Sequence, residues 1–142
     1  MTPHIWSEAS GDEHHPLVVV IHGAMDRAAG MLKLSRRLDE RYRVLRYDRR
    51  GYGRSHPHPG PFGMPGQVDD LEQLLAGRRA VLVGHSYGGN VALAFADRSP
   101  EQVAGVVVYE IPMSFEPWWP GTTSAAVAMA AVDGTDVAAE RF

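Results

Sequence analysis

Val81-Leu82-Val83-Gly84-His85-Ser86-Tyr87-Gly88-Gly89 is the stretch on which the fold turns. A short Val-rich apolar run leads into Gly-x-Ser-x-Gly and then into an Ala-rich segment of helical character. Strand, sharp turn carrying a serine, helix is the order of a nucleophile elbow. Such a turn crowds the backbone on both sides of the serine, and Gly84 and Gly88 meet that demand because they lack a Cβ. A helix opening near Tyr87 aims its first N–H groups toward the serine, where negative charge would develop in acyl transfer.

Working outward, Leu17-Val18-Val19-Val20-Ile21 is continuous and β-branched, the pattern of a strand buried on both faces. His4 to Glu8 reads as a weaker strand before it. Asp26 is the expected N-cap of a helix whose apolar positions are Ala28, Met31, Leu32, Leu34 and Leu38. Tyr42 to Tyr47 is the next strand, and Arg49 to Gly66 is a Gly- and Pro-dense loop. Val68, Leu71, Leu74 and Leu75 mark a second amphipathic helix. Ala80 to Val83 precedes the elbow, Asn90 to Asp97 continues its helix, and Pro100 ends it. Val103 to Tyr109 is a further apolar strand. Strand and helix therefore alternate with short connections. The expected architecture is α/β, a mostly parallel open sheet with helices on both faces. After Glu110 the character changes: residues 111–121 are rich in Pro and Trp, and an Ala-rich stretch follows. The expected organisation is a core over 1–111 and the start of a helical cap over 112–142.

The chain has 142 residues, 44% hydrophobic and 22% charged, enough for one domain with a core. A net charge of −3 gives no basic footprint for nucleic acid. There is no cysteine, so no disulfide or thiolate metal site is expected, and His14-His15 is too short a tract for a metal. No apolar run reaches the roughly 20 residues that cross a bilayer. Residues 1–11 carry no basic region followed by a long apolar stretch. The expected location is cytoplasmic.

Three stretches together resemble the α/β-hydrolase superfamily, in its serine-nucleophile branch. Ile21-His22-Gly23-Ala24 is similar to its oxyanion-hole loop, Asp48-Arg49-Arg50-Gly51-Tyr52-Gly53-Arg54-Ser55 to its Asp-x-Arg-Gly-x-Gly-x-Ser loop, and Gly84 to Gly89 to its elbow. They come in the family's order, and the likeness covers roughly residues 15–120. The resemblance implies a hydrolase of a small ester or related acyl substrate that needs no cofactor. Ser86 would be its nucleophile. The backbone N–H groups of Ala24 and Tyr87 would be its oxyanion donors, with Met25 a second candidate for the former. Glu110, just past the strand 103–109, would be either the triad acid or a carboxylate making a loop contact. A serine at position 86 speaks against the superfamily's epoxide hydrolases and haloalkane dehalogenases, which use an aspartate there. His22 and His85 are expected to be structural, and Asp48 to order the loop that follows it. Met25, Trp118 and Trp119, together with Met113 and Phe115, either line an acyl pocket or pack a cap.

The family's triad runs Ser, acid, His, yet none of the seven histidines follows His85. The expectation is therefore a triad histidine supplied from outside these residues, and a sheet that stops before the family's last strands. Two rivals stand beside it: a non-catalytic binding module that keeps the elbow, and one chain of a two-chain hydrolase. The strand 103–109 carries no charge and no proline, so it is expected to pair with another copy or with a completing chain.

Overall fold

The computed structural model describes residues 3–113 and 116–118. The chain divides at Ile111, and the core unit is Met1–Ile111. Within it stand β1 (Ser7–Ser10), β2 (Leu17–Ile21), α1 (Leu32–Leu38), β3 (Arg43–Tyr47), α2 (Met64–Leu75), β4 (Ala80–His85), α3 (Tyr87–Arg98) and β5 (Val103–Tyr109). One sheet holds all the strands in the order β1-β3-β2-β4-β5. Only β1 runs antiparallel, to β3, and the other pairs are parallel.

The unbroken apolar run of β2 is explained by burial on both sides, since side chains alternate between faces. Leu17, Val19 and Ile21 pack with Leu71 and Leu75 of α2 and Val91 and Phe95 of α3. Val18 and Val20 pack on the other face with Met31 and Val44, and with Leu34 and Leu38 of α1. A parallel sheet covered on both faces needs such strands.

Three expected elements differ in detail. The first strand is Ser7–Ser10 rather than His4–Glu8, because pairing with β3, not apolar content, defines it. Asp26 is not a helix N-cap. Its carboxylate accepts the Arg27 N–H at 2.7 Å, and a 3₁₀ turn Ala28–Met31 precedes α1. The Ala28 N–H goes instead to Asp48 Oδ1, at the far end of β3. α2 begins at Met64, inside the expected loop, because Pro65 sits in its first turn, where no helical donor is lost. Among the described residues no helix is long and apolar enough to cross a membrane.

Among the described residues β5 stands at one end of the sheet and pairs on one side with β4. Val107 and Tyr109 on this strand are exposed, as is Leu93 on α3. An apolar edge of this kind recruits a further strand. The isolated chain is expected to self-associate through β5, and Val107→Lys with Tyr109→Lys to return it to the 15.5 kDa monomer. Light scattering across a concentration series checks this. A wild-type chain that stays monomeric at high concentration would contradict it.

Candidate functional site

The carboxyl ends of β2, β4 and β5 lie side by side, and the backbone is strained just past each. Met25, Ser86 and Glu110 have φ of 56°, 51° and 52°. The one other described non-glycine residue with positive φ is Ala76, the C-cap of α2. L-residues pay for this conformation, and such outliers gather where function over-determines the backbone.

Ser86 links β4 directly to α3, with φ 51° and ψ −125°. Its N–H donates to the Tyr109 carbonyl at 3.0 Å, and its own carbonyl accepts from Gly89 N–H at 2.8 Å. The turn closes only because its neighbours are small. A Cβ on Gly84 would stand 2.5 Å from the Gly88 oxygen, and one on Gly88 would overlap the carbonyl oxygens of Ile21 and His22. The loop after β2 meets the elbow at Gly23, where an added Cβ would lie 3.0 Å from Ser86 Cβ. The structure thus brings Gly23, Ala24, Ser86 and Tyr87 to one place. Tyr87 opens α3, so its N–H belongs to the first turn, which has no acceptor within the helix.

His22 is fully buried beneath this loop. Its Nε2 accepts the Arg49 backbone N–H at 2.9 Å, so the ring proton sits on Nδ1, which donates to Gly23 O at 2.8 Å. Both ring nitrogens are therefore used. Burial, reinforced by repulsion from the Arg49 guanidinium, lowers its pKa from 6.5 to about 4. His22 is neutral at pH 7 and structural, as its motif implied. The unfolded chain protonates His22 below pH 6.5, whereas the folded chain resists until about pH 4. Its contribution is thus whole above pH 6.5 and is lost as pH falls toward 4, by roughly 3 kcal/mol. Urea unfolding at pH 7 and pH 4 checks this against His22→Asn, which keeps a donor and an acceptor but does not titrate. The wild-type chain is expected to lose that much more stability than the variant. Equal losses would contradict the assignment.

Asp48 does what the sequence suggested. Its carboxylate accepts the Ala28 N–H at 2.7 Å and the Arg54 N–H at 2.9 Å, and so ties two loops to the end of β3. Glu110, with an exposed side chain, holds His85 Nε2 at 2.8 Å. The His85 ring also packs on Tyr109, 4.8 Å between centroids. Trp118 is exposed, and Phe115 and Trp119 lie outside the described residues, as does most of the expected cap. Among the described residues no group of three or more His, Cys, Asp or Glu is placed to hold a metal ion.

Sequence reasoning missed two arginines. Arg49 is 1% exposed and Arg50 8%. Arg50 makes a two-pronged pair with Asp70 of α2, both bonds 2.7 Å, and donates to Pro61 O. An arginine in a Gly-rich loop ordinarily reads as a solvated charge. The one available signal was Asp70, which interrupts the apolar stripe of α2 beside Leu71.

A mostly parallel sheet with a serine on a strained strand–helix elbow, faced by a glycine loop from the neighbouring strand, defines an α/β protein of the hydrolase type. A family model described as "alpha/beta hydrolase fold" matches residues 16–130, and the chain belongs to that family. It is 32% identical to epoxide hydrolase 3 of Xenopus tropicalis, over 73% of this chain and 30% of that protein. It is 31% identical to a proline iminopeptidase of Xylella fastidiosa, over 77% of this chain and 36% of that protein. An α/β hydrolase structure from Sphaerobacter thermophilus matches with a TM-score of 0.78 and 30% identity, over 97% of this chain and 55% of that one. A thermophilic esterase from Thermogutta terrifontis matches with a TM-score of 0.79 and 27% identity, over 97% of this chain and 52% of that one. The chain thus spans about a third of the length of these curated relatives and about half that of the solved structures.

Proposed function

We propose that this chain carries the nucleophile and oxyanion hole of a serine hydrolase that acts on a small ester or related acyl compound. The observation that carries the proposal is the strained Ser86 at the β4–α3 junction with Gly23 packed against its Cβ. Ser86 Oγ attacks the substrate carbonyl. The oxyanion rests on the N–H groups of Ala24 and Tyr87, and one such donor contributes about 3–4 kcal/mol in the transition state. A histidine from outside these residues takes the serine proton and passes it to the leaving alcohol. The Oγ–acyl bond forms, the ester C–O bond breaks, and water then releases the acid. Glu110 orients that histidine by exchanging its contact with His85 Nε2 for one with the incoming ring, a role supported by its strained backbone at the end of the strand beside β4. Residues 112–142 are read as the start of a cap, supported by the change of composition after Glu110 and the division of the chain at Ile111. The cytoplasm remains the proposed location, supported by a sequence with no cysteine.

The relatives named above include an epoxide hydrolase and an iminopeptidase, so the test compares three substrate classes. The chain is incubated for hours at pH 9 with p-nitrophenyl acetate, with proline p-nitroanilide and with styrene oxide. Without its histidine the chain retains the residual acceleration of donors and binding. An excess of one equivalent of p-nitrophenolate per chain over the Ser86→Ala control is expected from the ester, and nothing comparable from the other two. A Ser86-dependent reaction with the epoxide or the anilide in preference to the ester would replace the ester reading.

A further inference from the structure

Arg49 is a fully buried cation whose hydrogen-bond acceptors are three neutral oxygens. Its Nε donates to His22 O at 3.0 Å, Nη2 to Gly23 O at 3.0 Å and Nη1 to Gln67 Oε1 at 3.3 Å. Its guanidinium also lies over two rings, 4.6 Å from the Tyr52 centroid and 4.9 Å from that of Tyr87. Burying a charge is costly unless it is hydrogen-bonded, and three of the partners here belong to the two segments that meet at Ser86. The loop after β2 supplies His22 O and Gly23 O, and the elbow helix supplies the Tyr87 ring.

The geometry of one peptide makes this consequential. In a trans peptide plane the C=O and the following N–H point in opposite directions. The Gly23 oxygen is held by two donors, Arg49 Nη2 and His22 Nδ1. Holding that oxygen fixes the plane of the Gly23–Ala24 peptide and turns the Ala24 N–H away from the guanidinium. The same guanidinium seats the ring of Tyr87, the residue that supplies the other proposed donor. A planar fork can hold two carbonyls at once, whereas an ammonium is a point charge.

We infer that Arg49 is the positioning residue of the oxyanion hole: one buried guanidinium sets the Ala24 N–H through the Gly23 carbonyl and packs on the ring of Tyr87, whose N–H the start of α3 places. This rests on the serine-hydrolase reading above. Donors preorganised in this way act because nothing has to reorient as charge develops. In the Asp-x-Arg-Gly pattern Arg49 occupies the unspecified position, so the motif does not assign it this task.

The test compares acylation of Ser86 by p-nitrophenyl acetate and by its thiono analogue, O-(4-nitrophenyl) thionoacetate, at pH 9, counted by mass spectrometry on the tryptic peptide Ala80–Arg98. One event per chain suffices, so no turnover is needed. Sulfur is a larger and weaker hydrogen-bond acceptor than oxygen, so the oxo ester gains more from well-placed donors. Arg49→Met is expected to slow oxo acylation by roughly 10- to 100-fold and thiono acylation by less than about threefold. Arg49→Lys, which keeps the charge and loses the fork, is expected to lower the oxo-to-thiono ratio severalfold, and it decides the matter if Arg49→Met does not fold by circular dichroism. A merely structural arginine would slow both esters alike. Equal slowing, or no slowing, overturns the inference and leaves the serine reading intact. Acylation of Ser86→Ala as fast as wild type overturns both.

Discussion

Ser86→Ala is expected to abolish acylation at position 86, read on the tryptic peptide Ala80–Arg98, while leaving the fold unchanged. In the proposed reaction the hydroxyl is the bond-forming group, so no acyl bond forms at this position without it. The elbow keeps its shape because the small Cβ remains and the close contacts involve Gly84, Gly88 and Gly23. A second substitution separates chemistry from structure. Ser86→Gly removes the Cβ from a backbone at φ 51°. It is equally inactive, but relief of the strain is expected to raise stability by about 1 kcal/mol. Gain of stability with loss of reaction marks a strained functional residue. If Ser86→Gly is less stable than wild type, the strain was not being held for chemistry. Rates from acylation of the peptide Ala80–Arg98 and midpoints from urea unfolding provide both numbers.

Asp70→Ala is expected to cost about 3–5 kcal/mol, the cost of leaving one member of a buried ion pair alone. Arg50 and Asp70 have side chains 9% and 5% exposed. Removal of the carboxylate leaves Arg50 with the Pro61 carbonyl at 2.7 Å. The guanidinium cannot easily swing aside, because Gly66 is packed against it: a Cβ there would overlap Nη1. The pair joins the loop after β3 to α2, and the same loop carries Arg49. Arg50→Met combined with Asp70→Leu is expected to recover most of the loss, since apolar replacement of both partners leaves no orphan charge. Urea unfolding of the three chains checks this. A single variant within about 1 kcal/mol of wild type would mean that the pair is not holding the loop.

The parts of the fold legible in the sequence were those with local cause. The Val-rich runs of β2 and β5 and the strand–serine–helix order of the elbow identify themselves. Asp48 was legible too, because an aspartate before a Gly-rich loop has nearby N–H groups to accept. What could not be read has its cause elsewhere in the chain. Ser7–Ser10 is a strand because β3 offers it partners. α1 starts late because Asp48, 20 residues away, takes the Ala28 N–H. Arg49 is buried because carbonyls from the loop after β2 and a glutamine from α2 meet its donors. The left-handed backbone of Met25 and Glu110 carries no residue-type signal, since neither is glycine or asparagine. The pairing of Glu110 with His85 depends on the β4–β5 register, which sets His85 opposite Tyr109.

The central claim is that Ser86 is the nucleophile of the proposed reaction, and its most direct test is the location of a fluorophosphonate adduct. After prolonged exposure the chain is digested with trypsin, and the peptide Ala80–Arg98 is sequenced by mass spectrometry. That peptide contains a single serine. The account predicts one adduct per chain, on Ser86, absent from Ser86→Ala. An unlabelled chain, or an adduct confined to Tyr87 or to any other peptide, would contradict it.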